Sequence, residues 1–95
     1  MERVDLKIGS LTFEHADYDD VNDVLYLHVG KPQAGEGEET PEGHYLRYAP
    51  GTQRVVGLTV LSPRHIIELD GHLTVSVPEA VEIPPAELAP ALAAV

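Results

Sequence analysis

Val4 to Phe13 reads VDLKIGSLTF. Val4, Leu6 and Ile8 alternate with Asp5 and Lys7, and Leu11 and Phe13 alternate with Thr12 and Glu14. A period of two is the signature of a half-buried strand. Gly9-Ser10 between the two runs is a two-residue turn with Gly in its first central place, as a type II′ hairpin needs. The register then follows. Ile8 faces Leu11 and Leu6 faces Phe13 on one side, and Lys7 faces Thr12 on the other. The stretch decides for an antiparallel β protein, with one long bent strand as the alternative.

The pattern continues outward. Asp19-Asp20-Val21-Asn22-Asp23 is a polar turn, because Asp and Asn side chains bond nearby backbone amides. Val24 to Val29, VLYLHV, is apolar on both faces and reads as a central, well-covered strand. His44 to Tyr48 and Arg54 to Leu61 read as strands, and Gly57 marks a bulge or a close backbone approach. His72 to Val77 alternates with Leu73, Val75 and Val77 inward, and stops at Pro78. Ser62 to Gly71, SPRHIIELDG, reads either as a two-turn helix with Ser62 as cap and Pro63 first, or as a hairpin over Leu69-Asp70-Gly71. The helix is favoured. The tail, about 79–95, predicts a short helix from Pro85 with Leu88 and Leu92 on one face, broken or restarted at Pro90. Together these predict one mainly β domain over 1–95. It is a small antiparallel sheet of five or six strands, with a short helix and a helical C-terminal tail.

Composition narrows the function. Ninety-five residues make one small domain with a thin core. No apolar run approaches the ~20 residues of a membrane span, and MERVDLKIGS carries no secretory signal core, so a cytoplasmic protein with no membrane role is expected. Cysteine is absent, which removes disulfides, thiolate metal sites and thiol nucleophiles. Sixteen acids against six bases leave a net charge of −10, which opposes phosphate backbones, so no nucleic-acid partner is expected.

That charge is uneven. Residues 14–42 hold nine acids and one base, Lys31, while residues 43–65 hold Arg47, Arg54 and Arg64 and no acid. Within the acidic part, Gly30 to Glu42, GKPQAGEGEETPE, reads as a mobile loop rather than an element. Glu36, Glu38, Glu39 and Glu42 make it a candidate docking segment for a basic protein, since such a field steers cationic partners. The three arginines would either compensate the acids or form a local anion site.

Catalytic and metal patterns are sparse. From Asp17 onward the acids miss the calcium-loop spacing, with Val21 and Asn22 at its fifth and sixth places, so the turn reads as structural. His15, His28, His44, His65 and His72 show no metalloprotease spacing. His28 and His44 would meet if their strands were neighbours, with Asp23 or Glu14 close by, and imidazoles of that kind bind divalent metals. Ser10, Ser62 and Ser76 lie outside any nucleophile elbow. No catalytic residue and no cofactor is expected.

Tyr18 to Leu27, YDDVNDVLYL, and Arg54 to Ser62, RVVGLTVLS, in this order and spacing resemble DUF2283, a bacterial domain family of unknown function. The similarity spans about residues 11–62. It implies a small antiparallel β domain without established activity and, for some members, an antitoxin-like role beside a toxin. The chain departs from the family pattern at Ala49-Pro50-Gly51-Thr52 and at Thr59, where members carry acids. Two function classes follow. One is a non-enzymatic binding module, with a basic protein as partner. The alternative is a small metal-assisted or acid–base enzyme using His and Asp. A homodimer is expected, because strands apolar on both faces and an apolar tail with Leu88, Leu92 and Val95 need cover.

Overall fold

The computed structural model describes residues 2–33, 35–77 and 79–95. It is mainly β. Eight strands and two helices are described: β1 Glu2–Ile8, β2 Leu11–Asp19, β3 Val24–His28, β4 Glu36–Glu39, β5 Tyr45–Tyr48, β6 Val55–Leu61, α1 Pro63–Asp70, β7 Leu73–Ser76, β8 Ala80–Ile83 and α2 Pro85–Leu92. Six strands form one antiparallel sheet in the order β1-β2-β3-β6-β5-β4, and β7 and β8 form a separate hairpin. No described helix is long and apolar enough to cross a membrane.

The first hairpin has the expected register, Ile8 with Leu11, Lys7 with Thr12 and Leu6 with Phe13. Gly9 takes φ 61° and Ser10 does not enter the positive region, which is the type II′ pattern. Farther out, Arg3 pairs with His15, so β1 spends one extra residue at Val4-Asp5, where Asp5 has φ 48°. That bulge bends the edge of the sheet.

One face of the six-stranded sheet builds the core. Leu6, Ile8, Phe13, Ala16, Tyr18, Leu25, Leu27, Leu58 and Val60 point to the same side and are buried. They meet Leu73, Val75 and Ile83 from the hairpin and Leu88, Ala91 and Ala94 from the C-terminal segment. The Tyr18 amide donates to the Ala94 carbonyl at 2.8 Å, tying the C-terminal segment to β2 beyond its last pair with β1.

Several expectations change. Residues 36–39 are a strand, not part of a loop: their backbone pairs with β5, which their side chains gave no reason to foresee. β3 is central, but its outer face is only partly covered: Leu25 and Leu27 are buried on the core side and His28 on the other, while Tyr26 is 36% exposed. The segment Ala80–Ile83 adds a strand to β7 that the Pro-rich tail concealed. Pro78, read as the stop of β7, lies outside the described residues, and β7 itself ends at Ser76. α2 runs through Pro90 without a break. The amide Pro90 lacks would have bonded the carbonyl of Ala86, and Ala86 is exposed, so water can serve that carbonyl. Residues 62–71 are helix rather than hairpin, and Gly71 closes it at φ 79° with its amide on the Ile67 carbonyl.

Candidate functional site

The acidic turn after β2 is internally bonded. Asp19 accepts from the Val21 and Asn22 amides at 3.1 Å each and from the Asn22 side chain at 2.9 Å. Asp23 reaches farther. Its carboxylate accepts from the Tyr18 hydroxyl at 2.6 Å and from the Arg64 and His65 amides at 3.2 and 3.1 Å. Those amides open α1, so Asp23 caps a helix 40 residues along the chain. Ser62 holds the cap position but makes no side-chain bond, because its φ is 54°. Burial works against the Asp23 charge, yet the bonds from Tyr18, His65 and Arg64 outweigh it and hold its carboxyl below the usual range. Burial, then Asp23, pushes the Tyr18 hydroxyl up to about 12. Arg64 lies over the Tyr18 ring, 5.1 Å from its centre.

The two histidine candidates do not meet. β6 separates β3 from β5, so His28 and the residue before β5 are not on neighbouring strands. They also lie on opposite faces. His28 pairs across to Gly57 on the face away from the core. His44 precedes Tyr45, which lies in the Tyr26 row, and so turns to the core side. There it is 1% exposed, and its Nδ1 accepts from the Leu61 amide at 3.1 Å. That bond places the ring proton on Nε2, which has no partner. Burial depresses the His44 pKa against the opposing pull of Glu42. With Asp23 committed to α1, no group of three His, Asp or Glu side chains among the described residues is arranged to hold a metal.

The sheet face away from the core is banded, and the segment after β3 covers one side of it. The Gly30 carbonyl lies 2.8 Å from His15 Nδ1, and the Gly30 amide donates to Glu14 at 3.1 Å. Gly35 sits against Arg47 and Val56, so that His28 and Val56 are buried there. Cross-strand partners give one row of Arg3, His15, His28, Gly57, Arg47 and Gly37. The next row is Asp17, Tyr26, Thr59, Tyr45 and Glu39. Tyr26, Tyr45 and, one row on, Leu61 are 36%, 40% and 37% exposed. Arg47 lies flat on Gly57, its Nη2 donating to His28 Nδ1 at 3.3 Å and toward the Leu27 carbonyl at 3.4 Å. Burial, and after it the Arg47 charge, depresses the His28 pKa while Asp17 opposes. The sequence marked Gly57 for a bulge or a close approach, and it has both. β6 spends an extra residue at Val56, and a Cβ on Gly57 would clash with the Arg47 guanidinium.

The three arginines are dispersed, Arg47 on this face, Arg54 before β6 and Arg64 on α1, so they form no common spot. Arg47 has no carboxylate partner among the described residues. Gly57→Ala is expected to cost about 1 kcal/mol, because a guanidinium can swing aside, and to raise the His28 pKa. Gly35→Ala is expected to cost more, about 2–3 kcal/mol, since its Cβ would meet the Tyr48 carbonyl oxygen at 2.8 Å and Val56 at 2.9 Å. Urea unfolding of both variants and a nuclear magnetic resonance titration of His28 check the pair.

A cleft of about 720 Å³ opens at the β4 end of the sheet, on the core side. Leu46, Tyr48 and Val55 floor it, Leu11 and Val77 stand across, and Glu36 and Glu38 line it. Glu36 lies opposite Tyr48 and Glu38 opposite Leu46, which puts both carboxylates over the cleft. Thr52, Gln53 and Ser10 complete the wall, and no base lines it. Glu39 is on the other side of β4, within 3.3 Å of the Tyr45 hydroxyl. Glu42 is committed elsewhere: it accepts from the Ser76 amide at 2.9 Å and hydroxyl at 2.7 Å. Burial raises its pKa, but the Ser76 and Thr40 bonds win and depress it. The apolar floor of this cleft was missed in the sequence, where only the Glu run stood out. No family model matches the chain, and no curated protein or solved structure is significantly similar to it.

Proposed function

We propose that the protein is a non-enzymatic binding module that works as a homodimer and partners a basic protein. The observation that carries this reading is the open part of the outer sheet face, where Tyr26, Tyr45 and Leu61 point outward. Exposed aromatic and apolar groups clustered in this way mark interaction surfaces. The patch is self-complementary: a two-fold axis through the tyrosine row sets Tyr26, Tyr45 and Leu61 against the same patch of a second copy, and two-fold dimers are the commonest closed oligomer. The net charge of −10 favours a cationic macromolecular partner. The antitoxin-like role that a resemblance to DUF2283 implies is one form such a partnership takes.

Thr59 sits between Tyr26 and Tyr45 in the tyrosine row. Light scattering is expected to return twice 10.3 kDa for the unaltered chain. Thr59→Lys, which places like charges together near the axis, is expected to return the monomer with unchanged circular dichroism. A monomeric unaltered chain at high concentration would refute the dimer.

A further inference from the structure

We propose that the free edge of β4 accepts an extended basic segment of the partner protein as a seventh strand, with alternate Lys or Arg side chains lying over the cleft against Glu36 and Glu38. This deepens the reading above and rests on its basic partner, but not on the dimer.

Three observations converge. Among the described residues β4 is the last strand of the sheet and pairs only with β5, which leaves the other side of its backbone open for pairing. All four of its residues are exposed. Glu36 and Glu38 project to the cleft side, and Gly37 between them has nothing within 4 Å of a built Cβ. An added strand alternates in the same way, so its residues i and i+2 fall on the cleft side near Glu36 and Glu38. The residue between them passes Gly37, where there is room for any side chain.

The cleft then selects the chemistry. It joins an apolar floor of Leu46, Tyr48 and Val55 to carboxylates on the strand above, with no lining base. A long basic side chain suits this arrangement: reaching across β4, it sets its charged head against the carboxylate at the mouth of the cleft, with its methylene stem against the β4 side chains. An acidic strand is repelled. A second copy of β4 is refused as well, because antiparallel pairing would bring Glu opposite Glu.

The probe is the synthetic peptide Lys-Val-Lys-Val-Lys, followed by fluorescence polarisation at ~50 mM salt, where charge attraction is little screened. Micromolar binding that weakens with salt is expected. Changing the central valine–lysine step to proline removes a backbone donor and is expected to abolish it. Glu36→Gln with Glu38→Gln is expected to weaken binding about tenfold, as two lost charge pairs would. Both positions are exposed, so the fold is retained, which circular dichroism confirms. The proposal is overturned if the proline peptide binds equally, if the double variant binds equally, or if butylammonium binds as well as the peptide. Light scattering on the same samples reports the dimer separately, so failure of the strand site and failure of the dimer are told apart.

Discussion

Asp23→Ala is expected to destabilise the protein by about 3 kcal/mol, the largest effect of any single polar substitution considered. The carboxylate does two jobs. It caps α1 through the Arg64 and His65 amides, and losing a side-chain cap costs about 1 kcal/mol. It also accepts the Tyr18 hydroxyl at 2.6 Å. Tyr18 is buried, so its hydroxyl would be stranded at a further cost of about 1–3 kcal/mol. At roughly 4–8 °C per kcal/mol for a domain of this size, the melting temperature falls by about 12–24 °C. Tyr18→Phe removes the hydroxyl and its need together, so the double variant is expected to lose less than the sum of the two single losses. Asp23→Asn tolerates the φ of 55° and isolates the charge. A loss under ~1 kcal/mol for Asp23→Ala would remove the cap-and-hydroxyl account.

Stability is expected to fall as the pH drops from 7 to 5. His28 and His44 both have depressed pKa values, chiefly from burial. Each is therefore neutral when folded at a pH where the unfolded chain already binds a proton. Their contribution is full above the unfolded value near 6.5 and is lost as the pH falls through the folded values. Two such groups give a slope of up to about 2.7 kcal/mol per pH unit. Protonating His44 also sets an N–H against the Leu61 amide that its Nδ1 now accepts. Asp23 and Glu42 are depressed too, but their share is present above the ordinary carboxylate range and lost only below it. Urea midpoints at fixed protein concentration across this range are the measurement. His28→Gln and His44→Gln are each expected to flatten the curve by one proton. A flat profile between pH 7 and 5 contradicts the account.

What could be read in the chain was local. The β1–β2 register needed only alternation and a Gly-led turn, and α1 needed only Pro63 and Gly71 at its ends. What failed was set by distant partners. β4 has no apolar alternation and consists of four residues of low strand preference, Gly37 and three Glu; the backbone of β5 makes it a strand. The Asp23 cap was hidden because its amides lie 41 and 42 residues away. The apolar residues on both faces of β3 correctly indicated a central strand, but an exposed tyrosine and a buried one look alike in sequence. His28 and His44 failed as a pair because strand order, which no local pattern encodes, inserts β6 between their strands. Glu36 and Glu38 were legible as charge, whereas the floor beneath them depends on how the far end of the sheet faces Leu11 and Val77.

The bulge at Val4-Asp5 has a consequence for stoichiometry. A strand end bent by an extra residue, with Arg3 and Asp5 paired across it at 3.2 Å, is a poor template for a neighbour. On the proposed strand site, a partner joined at β4 cannot be relayed onward through β1 into a growing ribbon, so mixtures with a strand donor are expected to yield finite complexes rather than fibres.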